Sequence, residues 1–162
     1  MIKHFFIVAS AFGFTISSVQ AELLTEKNIP SDLAVQMASN AVQACAADNY
    51  SVSAAVVDRA GVLRALVRAD NAGPHTVDSS RAKAFTSASL RILTSKLAEN
   101  AANNPGSAQV VNIPGFLVLE GGVPIKAGDV VIGAIGVSGA PGANLDEACA
   151  VAAIKKAAED LK

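Results

Sequence analysis

The sequence predicts an α+β domain in which helices cover both faces of a mostly antiparallel, five-stranded sheet. Three observations carry this reading. The hydrophobic patterns run helix, two strands, two helices, three strands, helix, so strands come in short-turn groups rather than alternating with helices as in a doubly wound fold. Residues 130–137 are apolar and rich in β-branched side chains with no polar alternation, the mark of a strand buried on both faces and therefore central. Helical patterns at the start, middle and end of the chain supply a cover for each face.

Residues 1–21 stand apart. Lys3 and His4 make a short positive region, residues 5–17 are apolar but too few to span a bilayer comfortably, and Val19-Gln20-Ala21 offers small residues where a signal peptidase cuts. They read as a signal peptide cleaved after Ala21, which leaves a single domain over residues 22–162, periplasmic or secreted and without a membrane anchor. Of 13 Lys and Arg against 14 Asp and Glu, the segment carries only Lys3 and no acid, so the remainder is acidic by two. That balance argues against nucleic acid and anionic lipid as partners. His75 becomes the sole histidine, which excludes most zinc and non-haem iron chemistry.

The elements follow in order. Residues 22–29 read as a mobile lead-in ended by Pro30. Ser31 or Asp32 can cap a helix reaching about Asp48, with Leu33, Met37, Ala41 and Cys45 on one face at i+4 steps, so Met37 belongs to a core rather than to a ligand set. Residues 52–58 and 62–68 form a hairpin about Arg59-Ala60-Gly61, and Asp58 is placed to close that turn against backbone N–H groups. After the loop 70–74, a second helix covers 76–93, with Asp78 in its positive first turn and Val77, Ala84, Ala88 and Ile92 able to face the sheet. Its many serines and alanines allow close approach to another surface. A short helix spans 95–102 and stops at Asn103-Asn104-Pro105-Gly106. Strand patterns resume at 116–119, then at 123–127, an edge strand because Pro124 has no N–H for a ladder, then at 130–137. Asn144 with Glu147 fits a capping box for the last helix, whose apolar face is Leu145, Cys149, Ala153, Ala157 and Leu161. Cys45 and Cys149 each sit on such a face. Export permits a disulfide between them, and two buried thiols in neighbouring helices is the other reading.

Several pieces, in this order, resemble one known family: residues 55–61 (AVVDRAG), Arg68-Ala69-Asp70, residues 81–86 (RAKAFT), Ile113-Pro114-Gly115, residues 121–125 (GGVPI) and residues 133–139 (GAIGVSG). Together they are similar to the GlcG/HbpS haem-binding family over about residues 24–162. The resemblance implies a profilin-like fold, a five-stranded antiparallel sheet with helices on both faces, and homo-oligomers. It also implies haem as a possible cofactor in storage, sensing or degradation.

The residues themselves support no nucleophile–base set, Walker loop or dinucleotide turn. They suggest an anion-friendly pocket. Ser138 and Gly139 near the start of the last helix can offer N–H groups and the helix dipole. Arg81 and Lys83 can supply counter-charge, and Gly121 and Gly122 can allow close backbone approach. In the alternative reading Arg81 pairs with Asp78 and Lys83 is solvated. His75, in a loop after Gly73-Pro74, is the strong candidate for haem iron, and Tyr50 a weaker one. The leading expectation is thus an exported, homo-oligomeric haem- or tetrapyrrole-binding protein. The alternatives are a binding protein or enzyme for a small, glycolate-like carboxylate, and a ligand-free partner protein docking through the small-residue face of the second helix.

Overall fold

The computed structural model describes residues 21–161; apart from Ala21, the expected signal peptide lies outside them. Four strands are present: β1 (Ser53–Asp58), β2 (Leu63–Arg68), β3 (Gly122–Ala127) and β4 (Val130–Ser138). They pair antiparallel in the order β2-β1-β4-β3. The uniformly apolar run is β4, and it lies between β1 and β3 with every residue after Val130 buried. Pro124 is on β3, at the sheet edge. Asp58 closes the hairpin turn as its position demanded: its Oδ1 accepts from the N–H groups of Ala60 and Val62, each at 3.0 Å.

The expected fifth strand, residues 116–119, does not form. Its backbone is engaged elsewhere, because the Leu117 N–H donates to Thr86 Oγ1 at 2.9 Å. Phe116 meets Phe85 edge to face, with ring centroids 5.9 Å apart. The run is apolar because it lies along a helix, not because it joins the ladder.

Four α-helices cover the sheet: α1 (Ser31–Ala47), α2 (His75–Leu90), α3 (Thr94–Asn103) and α4 (Ala143–Lys156). On one face, Leu33, Met37, Ala41 and Cys45 of α1 and Cys149, Ala153 and Ala157 at the other end of the chain pack over strand residues such as Val56, Ile125, Ile135 and Val137. Cys45 and Cys149 form a disulfide joining α1 to α4 across 104 positions of sequence. Part of the expected mobile lead-in is fixed on this side. Ile29 is buried and donates its N–H to the Ile132 carbonyl at 3.0 Å, while Asn28 Oδ1 accepts from the Arg59 N–H.

Helix α2 covers the other face, where Ala84 and Ala88 meet Val57 and Ala134. It ends three residues before the expected boundary, at Leu90, so Ile92 is not on its buried stripe. The small-residue face is consumed by the molecule's own sheet: Ser80, Ala84, Ser87 and Ala88 are all buried. Approach is closest at Gly136 of β4, where an added Cβ would lie 2.1 Å from the Ser80 carbonyl oxygen and 2.5 Å from the Ala84 nitrogen. Both are backbone atoms of a helix and cannot swing away. The Gly136→Ala variant is therefore expected to lose about 3 kcal/mol of stability, from overpacking that lifts α2 off the sheet. A urea unfolding midpoint indistinguishable from wild type would contradict that close contact.

Candidate functional site

The sequence of α2 sets three residues on one line, His75, Ser79 and Lys83, at successive i+4 steps. This line faces the segment that leaves β4 and enters α4. Between them lies a cleft of about 500 Å3, lined on one side by those three residues and on the other by Ser138, Gly139, Ala140 and Pro141. Leu117 and Leu119, from the run that failed to become a strand, supply apolar wall. Ser79 Oγ is hydrogen-bonded to Ser138 Oγ at 2.7 Å and to the His75 carbonyl at 2.9 Å, which ties the two walls together.

Both helices that frame the cleft begin at it. His75 is the first residue of α2 and Ala143 the first of α4, and both line the space. Two helix N-termini, each the positive end of a dipole, thus converge on one opening, with the Thr76 N–H already donated to the Gly73 carbonyl and the Leu145 and Asp146 N–H groups to the Gly142 carbonyl. His75 is exposed, with its ring beside Gly73. It is the one histidine among the described residues, and no cluster of three or more His, Cys, Asp or Glu able to hold a metal ion occurs among them.

Lys83 behaves unlike either expectation for it. It is neither solvated nor an open counter-charge. Fully buried, its Nζ donates to Asp146 Oδ2 at 2.8 Å and to the Val137 carbonyl at 2.9 Å. Asp146 Oδ1 accepts from the Ala140 N–H at 2.9 Å. One ion pair at the base of the cleft therefore joins α2, the end of β4 and the first turn of α4. The expected capping box is absent. Gly142 is the N-cap without a side-chain cap bond, and Glu147 instead accepts from Ser95 Oγ at 2.8 Å and the Gly121 N–H at 3.3 Å.

The other sequence candidates fall elsewhere. Arg81 is exposed and lines a separate 270 Å3 recess with Asp78 and Phe85, and no ion pair joins Arg81 to Asp78 among the described residues. Gly122 permits close approach, but to the chain's own helix: an added Cβ would lie 2.4 Å from the Lys83 carbonyl oxygen. Gly121 is buried beside the Lys83–Asp146 pair. Tyr50 is half-buried against the α1 and α4 core, in a small recess next to the disulfide. What sequence reasoning missed was Asp146, an acid in the first turn of a helix that looks like a dipole partner and is in fact buried. A signal for Lys83 existed: it is three residues after Ser80 and four before Ser87, in phase with the sheet-facing stripe.

A four-stranded antiparallel sheet covered by helices, with a cleft where two helix N-termini meet, makes the molecule an α+β domain. More particularly, the chain belongs to the HbpS-like family: the family model described as haem degrading protein HbpS-like matches residues 29–155. Protein GlcG of Escherichia coli strain K12 is 42% identical over 110 residues, covering 65% of this chain and 81% of that protein. A double-substitution variant of HbpS from Streptomyces reticuli superimposes with a TM-score of 0.79 at 37% identity, over 90% of this chain and 98% of the other. The PduOC:haem complex shares the fold, with a TM-score of 0.70 at 20% identity over 79% and 94% of the two chains.

Proposed function

We propose that the chain is an exported, homo-oligomeric protein that binds haem or a related tetrapyrrole in the cleft between α2 and the β4–α4 segment. The observation carrying this reading is that an HbpS-like chain puts its one described histidine on the rim of a cleft where two helix N-termini meet. The chemistry of the residues fits such a ligand. Leu117, Leu119 and Pro141 offer apolar wall to a macrocycle, His75 offers an imidazole to iron, and the helix N-termini of α2 and α4 suit propionates. Haem, when bound, would supply the iron-centred chemistry; the chain's own part is to orient it, with Ser79 and Ser138 holding the walls at a fixed spacing. Export is supported by the leader pattern and by the disulfide, which persists in oxidising compartments.

Titrating the 22–162 protein with haemin tests this reading. A saturable Soret shift is expected, and replacing His75 with alanine is expected to change its position and weaken affinity at least tenfold. No Soret shift refutes tetrapyrrole binding, and a shift unaltered in His75→Ala refutes the iron ligand. The same helix N-termini favour a second reading, a small carboxylic acid in the cleft. A thermal-shift response to glycolate or lactate without any response to haemin would select it.

A further inference from the structure

Along the β3 edge, between that strand and the turn from α2 to α3, lies a groove of about 420 Å3 that shares no residue with the cleft. Its floor is apolar, made by Ile92, Leu93, Val123 and Pro124. Its charged residues are all basic: Arg91, Lys96 and Lys126. Lys96 is engaged by Glu99 at 2.8 Å, whereas the exposed Arg91 and Lys126 side chains make no hydrogen bond or ion pair among the described residues. In a chain with 13 basic and 14 acidic residues, an apolar hollow lined by three cations and no acid is a local excess of positive charge.

The wall that carries Arg91 is built rather than loose. Arg91 itself is left-handed, with φ 58° and ψ 32°, at a helix end where glycine fits without strain. Its N–H bonds the Ser87 carbonyl at 2.8 Å, and Ser87 Oγ donates to the Ile92 carbonyl at 2.8 Å. Two residues on, Thr94 Oγ1 accepts from the Gly122 N–H at 2.8 Å and pins the turn to β3. Ser87 and Thr94 are wholly buried. A charged side chain is thus held at a conformationally unfavourable position by a fully satisfied polar frame, which is where strain points to use.

From this we infer that the groove binds an amphipathic organic anion, a carboxylate with a medium-length apolar tail. The tail lies on Ile92, Leu93, Val123 and Pro124, and the head sits between Arg91 and Lys126. The volume falls within the range of roughly 300–1,000 Å3 usual for small-molecule sites. This site is independent of the cleft and of the haem reading.

Isothermal titration of the 22–162 protein with sodium octanoate, octan-1-ol and sodium acetate tests it. Octanoate is expected to bind saturably, at one site per chain and at least tenfold more tightly than either control. The Arg91→Gly, Lys126→Gln double variant is expected to lose that affinity at least tenfold. Arg91→Gly alone should raise the unfolding midpoint while weakening octanoate, a combination that general destabilisation cannot produce. His75→Ala should leave octanoate binding unchanged, and the Arg91→Gly, Lys126→Gln variant should leave the haemin Soret shift unchanged. Equal binding of octanol and octanoate, an unchanged double variant, or no saturation because a second copy covers the β3 edge would each overturn the inference. A haemin shift lost in the double variant would do so as well.

Discussion

The Asp146→Ala variant is expected to unfold on the order of 10 °C below the wild type. The reason is the asymmetry of buried ion pairs. Lys83 and Asp146 have side chains 1% and 4% exposed, so their mutual attraction mainly offsets the desolvation of both. Removing the carboxylate leaves an ammonium in the interior with only the Val137 carbonyl for company, and orphans the Ala140 N–H as well. Such losses run to about 3–5 kcal/mol, and each kcal/mol shifts the midpoint of a domain this size by about 3 °C. The matched apolar pair, Lys83→Met with Asp146→Leu, is expected to recover most of the loss, because neither charge then needs burial. Calorimetry on the single and double variants decides the matter. A single variant within about 2 °C of wild type, or a double variant worse than the single one, would show that the pair does not hold the cleft base together.

Opening the disulfide has an effect of similar size by a different route. Cys45 and Cys149 enclose a loop with a sequence separation of 104, and closing a loop of that length restricts the unfolded chain by about 4.7 kcal/mol in the chain-entropy treatment. Replacing both cysteines with alanine is expected to lower stability by about 4 kcal/mol, with the small volume change absorbed between α1 and α4. The check is a urea titration of the oxidised protein, the reduced protein and the double-alanine variant. Coincident midpoints for all three would mean that the bridge does not constrain the unfolded ensemble. A reduced protein that matches wild type while the alanine variant is weak would assign the loss to packing instead.

How far the sequence could be read depended on whether local physics decided the outcome. The faces of α1 and α4 were legible because i+4 spacing alone separates Leu33, Met37, Ala41 and Cys45 from the solvent side. The central place of β4 was legible from its unbroken apolar run, and the edge position of β3 from Pro124. Residues 116–119 defeated the same logic, since an apolar run does not say what it will pack against: this one is only partly covered, with Leu119 exposed on the cleft wall. In the site, the turn at Gly139 and the accessibility of His75 could be read from turn chemistry, although Ser138 ends β4 and His75 begins α2 where loop positions were expected. The burial of Lys83 could be read from its phase with the sheet-facing stripe, but its pairing could not. Its partner, Asp146, is 63 positions away, and nothing local distinguishes an acid that serves a helix dipole from one that reaches across to another helix. Arg81 and Lys83 are two residues apart and so cannot share a helix face, a constraint that separates one from the cleft as surely as it brings the other in.

All four strands lie between Cys45 and Cys149, as do α2 and α3. A protease that cuts any loop within that interval therefore releases nothing. The two fragments stay joined at the α1–α4 crosslink and stay paired in the sheet, so the nicked protein should migrate as one full-mass species on a denaturing gel until a thiol reagent is added. That geometry converts a first proteolytic hit from a fatal event into a silent scar.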